Sequence, residues 1–345
     1  MDTQWFVTGA DGFLGSTIVR ALAARGDLVW AGVFGHRAPF ALAGVACERL
    51  RIDVTDPDSL HRALAEVTGA PKAPARTVVI HAAGLVSIAD NPSARLRAIN
   101  VDGTQHVIDA CRQAGIARLV YVGSMHAFPE PPLGPMVETD RFDPHLVVGG
   151  YAKTKAEASR RVLAATDLDR VLVHPTGFLG PGDPGDAPVT RLIRDLAENR
   201  MPALIPGGSD FVDVRDVAKG TIAAAERGRT GESYLLGAAR LSLRDIAVLV
   251  AEETGSRVPG ILPVWMAWLA APWVARRNRD EDSRPLFTRY SLAVARRNIA
   301  VSHEKAAAEL GFAPRPLADT IRDTIDWVHT HRAGVALDQT LDECA

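Results

Sequence analysis

The sequence has no block of like charge. Its 39 Lys and Arg stand against 41 Asp and Glu for a formal net charge of −2, so the concentrated basic face that a nucleic-acid groove requires is not expected. Cysteine is scarce: Cys47, Cys111 and Cys344 are an odd number at wide spacing, which suits neither a disulfide framework nor a zinc site and points to a reducing cytoplasm. No charged segment precedes an apolar one at the N-terminus, and the first apolar residues run directly into glycines, so they read as a strand and not a secretory signal. Long apolar runs are missing too. The longest, "ILPVWMAWLAAPWVA" at 261–275, is shorter than the roughly 18 residues that span a bilayer and is interrupted by proline.

What is present is a chain of 345 residues, 47% hydrophobic and 6% aromatic, long enough for a large core and a smaller one beside it. To about residue 125 it alternates: "WFVT", "LGSTIVRALAARG", "LVWAGVF", "CERLRI", "DSLHRALAEV", "TVVIHAAG", "TQHVIDACRQAG", "RLVYVGS". Such alternation predicts right-handed βαβ units, hence an α/β doubly wound parallel sheet. Its strands are continuous apolar runs, as helices on both faces require. Pro-rich connections at 69–76, 128–135 and 180–188 are expected to rim a pocket or join domains. A first, α/β domain is expected over 1–180, with strand and helix returns at about 211–236, and a smaller, mainly helical lobe over 181–345.

Two clusters carry chemistry. In "TGADGFLG", Gly9, Gly12 and Gly15 fall between the first strand and the first helix. Gly9 would permit the tight turn, Gly12 would let a pyrophosphate approach the main chain, and Gly15 would allow close helix packing, with the helix N-terminus as anion site. Asp11, Phe13 and Leu14 belong to the same loop. In "YAKTK", Tyr151 and Lys155 are four residues apart at the start of a helix, so the ammonium can lie near the phenol and favour its ionised form. That would bring a phenol of ordinary pKa about 10 toward general acid/base duty.

Taken in order, "TGADGFLG", "HAAG", "NVDGT", "VYVGS", "YAKTK" and "HPTGFLGPGD" resemble the extended short-chain dehydrogenases/reductases over residues 5 to about 330. The resemblance implies a Rossmann-type doubly wound sheet carrying a nicotinamide dinucleotide, with a Ser-Tyr-Lys triad. Tyr151 would be the acid/base, Lys155 would tune it and hold the nicotinamide ribose, and Ser124 would hold the substrate oxygen. Asp53 would contact the adenine with Val54 beside it; Ala82, Ala83 and Gly84 would line a ribose; Pro175, Thr176 and Phe178 would line the nicotinamide. Asp53 could instead form an Asx-turn. His81 and His126 read as structural or pocket-lining, and Asn100 as a tie between a helix and a neighbouring strand. Where family members carry consecutive serines, this chain has Gly123 and Met125 around Ser124.

The tip of the second strand, "AGVFGHRAP", carries no carboxylate for a ribose 2′-OH. His36 and Arg37 could meet a 2′-phosphate, so NADP(H) is favoured modestly over NAD(H). Gly177 and Ser209 stand where nucleotide-sugar enzymes of the family place Asn and Arg. Within the family, "PTGFLGPGD", "GGSDFVDVRDVAKG" and "RGRTGESYLLG" most resemble the dihydroflavonol-reductase and 3β-hydroxysteroid-dehydrogenase branch, which implies a small apolar ketone or alcohol as substrate. A nucleotide-sugar epimerase with retained NAD and a non-catalytic dinucleotide sensor are the alternatives. The resemblance further suggests a homodimer, and 261–279 is open as lid, core helix or peripheral membrane contact.

Overall fold

The computed structural model describes residues 3–35, 38–70, 74, 76–87, 91–185, 187–262 and 299–331. His36, Arg37 and all of 261–279 except Ile261 and Leu262 lie outside the described residues. Ile261 and Leu262 are exposed, and Ile261 bridges to Leu204. Among the described residues no helix is long and apolar enough to cross a membrane.

The first half runs β1 (Thr3–Thr8), α1 (Phe13–Ala24), β2 (Leu28–Val33), α2 (Ala38–Ala41), β3 (Glu48–Arg51), α3 (Pro57–Gly69), β4 (Arg76–His81), α4 (Ala94–Arg97), α5 (Gly103–Gln113), β5 (Arg118–Val122) and α6 (Gly150–Ala164). The second runs β6 (Arg170–Pro175), β7 (Gly177–Leu179), α7 (Pro188–Ala197), β8 (Gly208–Asp213), α8 (Val214–Arg227), β9 (Ser233–Leu236), β10 (Ala239–Ser242), α9 (Leu243–Thr254), α10 (Glu304–Leu310) and α11 (Leu317–Thr330).

The main sheet has the order β3-β2-β1-β4-β5-β6-β9, with every pairing parallel. This is the doubly wound sheet that the alternating pattern predicts. Its strand order reverses between β1 and β4, and the loops that leave these two strands open a crevice at their carboxyl ends. Side chains of β1 divide by the two-residue period of a strand. Trp5 and Val7 pack with Ile18 and Leu22 of α1 and Val217 of α8, while Phe6 packs with Leu60 and Leu64 of α3 and Val107 of α5. Each such side chain contributes roughly 1.5–3 kcal/mol by leaving water.

A smaller sheet, β10-β8-β7, sits over a third core that includes Leu179, Ile193, Phe211, Ile246 and Ile325. So the chain leaves the main sheet at β7 and β8, then returns through α8 and β9. Polar groups fix the junction. Asp213 caps α8 by accepting from Arg215 N, and Arg315, in the segment before α11, pairs with Asp216 at 2.7 Å.

Candidate active site

The loop between β1 and α1 is shaped by its glycines for two different reasons. Gly9 has φ +67°, and a Cβ there would meet the Ala83 backbone at 2.7 Å; a Cβ on Gly15 would meet Gly9 O at 2.0 Å. Both are demanded by the protein's own packing. Gly12 is not: its φ of −88° suits any residue, and a Cβ would meet only Gly9 O, at 3.2 Å. Space above Gly12 is therefore left open. The first turn of α1 has no side-chain cap and no acidic residue, in contrast to α3, α8 and α9, whose ends are capped by Asp56, Asp213 and Ser242. The first-turn N–H groups at Phe13, Leu14 and Gly15 are thus not met by a side-chain acceptor. Phe13 meets Phe178 across this opening, ring centroids 5.7 Å apart.

Residues after β4 are wired to the same loop. Thr8 Oγ1 accepts from Ala83 N at 3.3 Å and lies 2.8 Å from His81 Nδ1; His81 Nε2 lies 3.1 Å from Thr104 Oγ1, which donates to Asn100 O. Asn100 sits in a π-helical turn, Ala98–Asp102, a local widening often found at functional sites. Its Nδ2 donates to Leu85 O and Thr154 Oγ1, and its Oδ1 accepts from Leu85 N. It ties that turn to α6 and to the loop beyond Gly84. Burial first, then the nearby Lys155 charge, lowers the His81 pKa to about 3, so His81 is a neutral brace.

At the end of β5, Ser124 caps a short 3-10 turn, Met125–Ala127, its Oγ accepting from His126 N. That turn packs on α6, and the His126 ring meets the Tyr151 ring edge-on at 6.2 Å. Lys155, one turn along α6, is buried: its Nζ donates to Val122 O at 2.9 Å and lies 5.1 Å from the Tyr121 ring centroid. A Cβ on Gly84 would stand 3.3 Å from that Nζ. Burial pulls the Lys155 pKa down to about 8. Val122 O is its one hydrogen-bond acceptor among the described residues, although an ammonium carries three N–H donors. Its Nζ therefore lies beside Gly84 with hydrogen-bonding capacity beyond that single main-chain acceptor.

His174, at the end of β6, has a part that sequence reasoning missed. Its Nδ1 accepts from Ser124 N at 3.3 Å, which places the ring proton on Nε2, a buried atom with no partner among the described residues. Phe142 stacks on the ring and Phe128 meets it edge-on, and burial lowers its pKa to about 3. A Cβ on Gly123 would come within 2.3 Å of Nδ1. The absence of a side chain at Gly123 is thus the space this imidazole needs, and that glycine was the available signal.

The remaining residues line the crevice unevenly. Asp53 forms the Asx-turn, its Oδ1 accepting from Thr55 N and Thr55 Oγ1, so an adenine contact would fall to Oδ2. Val54 is buried, and its carbonyl lies 2.9 Å from His106 Nδ1. Pro175 ends β6; Thr176 is buried, with N donating to Leu236 O. Asp11 turns outward to β2: its Oδ2 accepts from Gly35 N at 2.9 Å and Phe34 N at 3.3 Å.

Residues 5–237 match the model of the NAD dependent epimerase/dehydratase family. The chain is 32% identical to sterol demethylase protein B of Methylococcus capsulatus, over 93% of this chain and 97% of that protein. It is 29% identical to a 3 beta-hydroxysteroid dehydrogenase/Delta 5-->4-isomerase of Mycobacterium tuberculosis, over 89% of this chain and 85% of that protein. The crystal structure of gox2253 superposes with a TM-score of 0.79 at 31% identity, covering 96% of this chain and 99% of that one. The uncapped Gly-rich turn at the switch point, the buried ammonium below Gly84 and these matches agree: the chain belongs to the NAD-dependent epimerase/dehydratase family and is an oxidoreductase of the extended short-chain dehydrogenase/reductase kind.

Proposed function

We propose that the protein interconverts an apolar ketone and its alcohol with a nicotinamide dinucleotide. The observation that carries this reading is Lys155: a buried ammonium with its pKa drawn to about 8 and one backbone acceptor, one helical turn from Tyr151. The residues fit the dinucleotide. Gly12 leaves room at an uncapped helix end, and the hydrogen-bonding capacity of Lys155 beyond that acceptor suits ribose hydroxyls. Bound, the nicotinamide would supply or take the hydride.

The chain's own work is then orientation and proton handling. The Tyr151 phenol gives a proton to the carbonyl oxygen in reduction, or takes it from the alcohol in oxidation. Lys155 favours the phenolate through its charge, and Ser124 Oγ donates to the same oxygen. His174, kept neutral, holds the Ser124 main chain in register. Apolar groups stand at the approaches: Val86, two residues beyond Gly84, and Leu146 and Val148, just before Tyr151, are all exposed. A Cβ on Gly150 would lie 2.5 Å from the Asn91–Pro92 backbone, so these two loops close on one another. With Gly177 and Ser209 in place of nucleotide-sugar anchors, these groups favour an apolar substrate. The names of the steroid-related relatives agree.

Tyr151→Phe is the test. Turnover of a ketosteroid and flavanonol panel should fall by roughly 10²–10⁴, while dinucleotide affinity stays within about threefold. Unchanged turnover in that variant removes the assignment, and turnover on nucleotide sugars alone removes the substrate class.

A further inference from the structure

The tip of β2 bears no acidic side chain, yet it does not lack an acidic group. Asp11, on the Gly-rich loop, reaches to the end of the neighbouring strand β2 and accepts hydrogen bonds from the main chain of both Phe34 and Gly35. A Cβ on Gly35 would stand 3.6 Å from the same Oδ2, so carboxylate and strand tip are in contact. In doubly wound dinucleotide folds this tip is where the adenosine ribose meets the protein, and a carboxylate there accepts from the 2′-OH. In this chain that carboxylate comes from 23 to 24 residues upstream.

We propose that Asp11 is the residue that selects NAD(H) over NADP(H). The inference rests on the dinucleotide reading of the site and opposes the NADP(H) preference that His36 and Arg37 suggest from sequence. Two effects act together. A 2′-phosphate brings about two negative charges to a place already holding one, with the closest approach set by a hydrogen-bonded carboxylate. The main-chain donors of Phe34 and Gly35, which would otherwise serve a phosphate, are already occupied by Asp11. An NAD(H) ribose meets neither penalty, since its 2′-OH donates to a carboxylate.

The test is binding, read without turnover. The full chain is titrated with NADH and NADPH, and with AMP and adenosine 2′,5′-bisphosphate, which differ by the 2′-phosphate alone. The wild type should hold NADH and AMP roughly tenfold or more tighter than their 2′-phosphorylated counterparts. Asp11→Asn keeps an acceptor for the two N–H groups but removes the charge, and should shrink that ratio by roughly tenfold; Asp11→Ala, which also frees both donors, should shrink it further. Added salt should narrow the wild-type ratio, because the Debye length falls from about 10 Å at 0.1 M to about 3 Å at 1 M. A wild type that prefers NADPH, or a ratio unmoved in both variants, overturns the role of Asp11 while leaving the dinucleotide site intact. Failure of the wild type to bind any of the four nucleotides overturns the site itself.

Discussion

The crevice is built by two regions that solve the same problem by opposite means. At the β1–α1 turn, room and donors come from the main chain: glycine removes side chains, and a helix end is left without a cap. At the β5–α6 corner the crevice is lined instead by buried ionisable side chains, Lys155 with His81 and His174 around it, each with its pKa lowered by burial. The first region spends conformational freedom, which does not depend on pH. The second spends electrostatic free energy, which does. The two halves should therefore respond differently to substitution and to proton concentration.

The largest effect separates glycines within the first region. Gly15→Ala forces a Cβ to within 2.0 Å of the Gly9 carbonyl, and neither atom can rotate aside. The expected cost is on the order of 3–5 kcal/mol, in the range of severe overpacking. Gly12→Ala meets only a 3.2 Å contact and should change stability by less than about 1 kcal/mol, while dinucleotide affinity falls at least tenfold, about 1.4 kcal/mol. Urea unfolding and a nucleotide titration on the two variants check this. Equal loss of stability would mean that Gly12, too, is demanded by packing and does not report a ligand.

That contrast also explains what could be read in advance. The doubly wound sheet was legible because strand period, helix period and Gly-rich turn all pointed to one architecture. Asn100 as a tie was legible, though it joins its turn to α6 and the loop after β4 and not to a strand; the Asx-turn of Asp53 stood as the alternative to an adenine contact, because one short segment decides it. The Asp11 contact was not legible, because it joins residues 23 to 24 apart at the ends of two neighbouring strands. Nor was the His174 contact with Ser124, 50 residues away; a glycine beside the serine marks a space without saying what fills it. The departure of β7 and β8 into a separate sheet was also hidden, since Gly177–Leu179 is too short to show which partner it pairs with.

The second region should show itself in acid. His81 and His174 have folded pKa values of about 3 against the ordinary 6.5. Between those values the unfolded chain takes up protons that the folded chain refuses, so stability falls as pH drops from 6.5 toward 3. Each histidine contributes a slope of up to about 1.4 kcal/mol per pH unit. Denaturant midpoints measured from pH 7 to pH 4 should therefore decline, and His174→Leu should lose one histidine's share of that slope. Carboxylates that also titrate there are common to both proteins and cancel in the difference. A variant with the wild-type slope would show that His174 is protonated in the fold, unable to accept from Ser124 N.

The smallest effect sharpens the comparison most. Lys155 has its pKa lowered to about 8 from 10.5, so below pH 8 the ammonium is charged in both states and the fold bears the full burial penalty. From pH 8 to 10.5 the folded chain gives up the proton while the unfolded chain keeps it, and this group's contribution to stability rises with pH; above 10.5 the penalty is gone. Lys155→Met removes the charge and keeps much of the stem's packing. At pH 7 the variant should be more stable than the wild type by on the order of 2–3 kcal/mol, with turnover lost, and that advantage should shrink to nothing by pH 10.5. The wild type should lose turnover above pH 8 as the ammonium deprotonates. Should Lys155→Met prove less stable at pH 7, its hydrogen bond to Val122 O outweighs its desolvation, and the β5–α6 corner would be held together by the charge that the opposition between the two regions assumes it tolerates for catalysis.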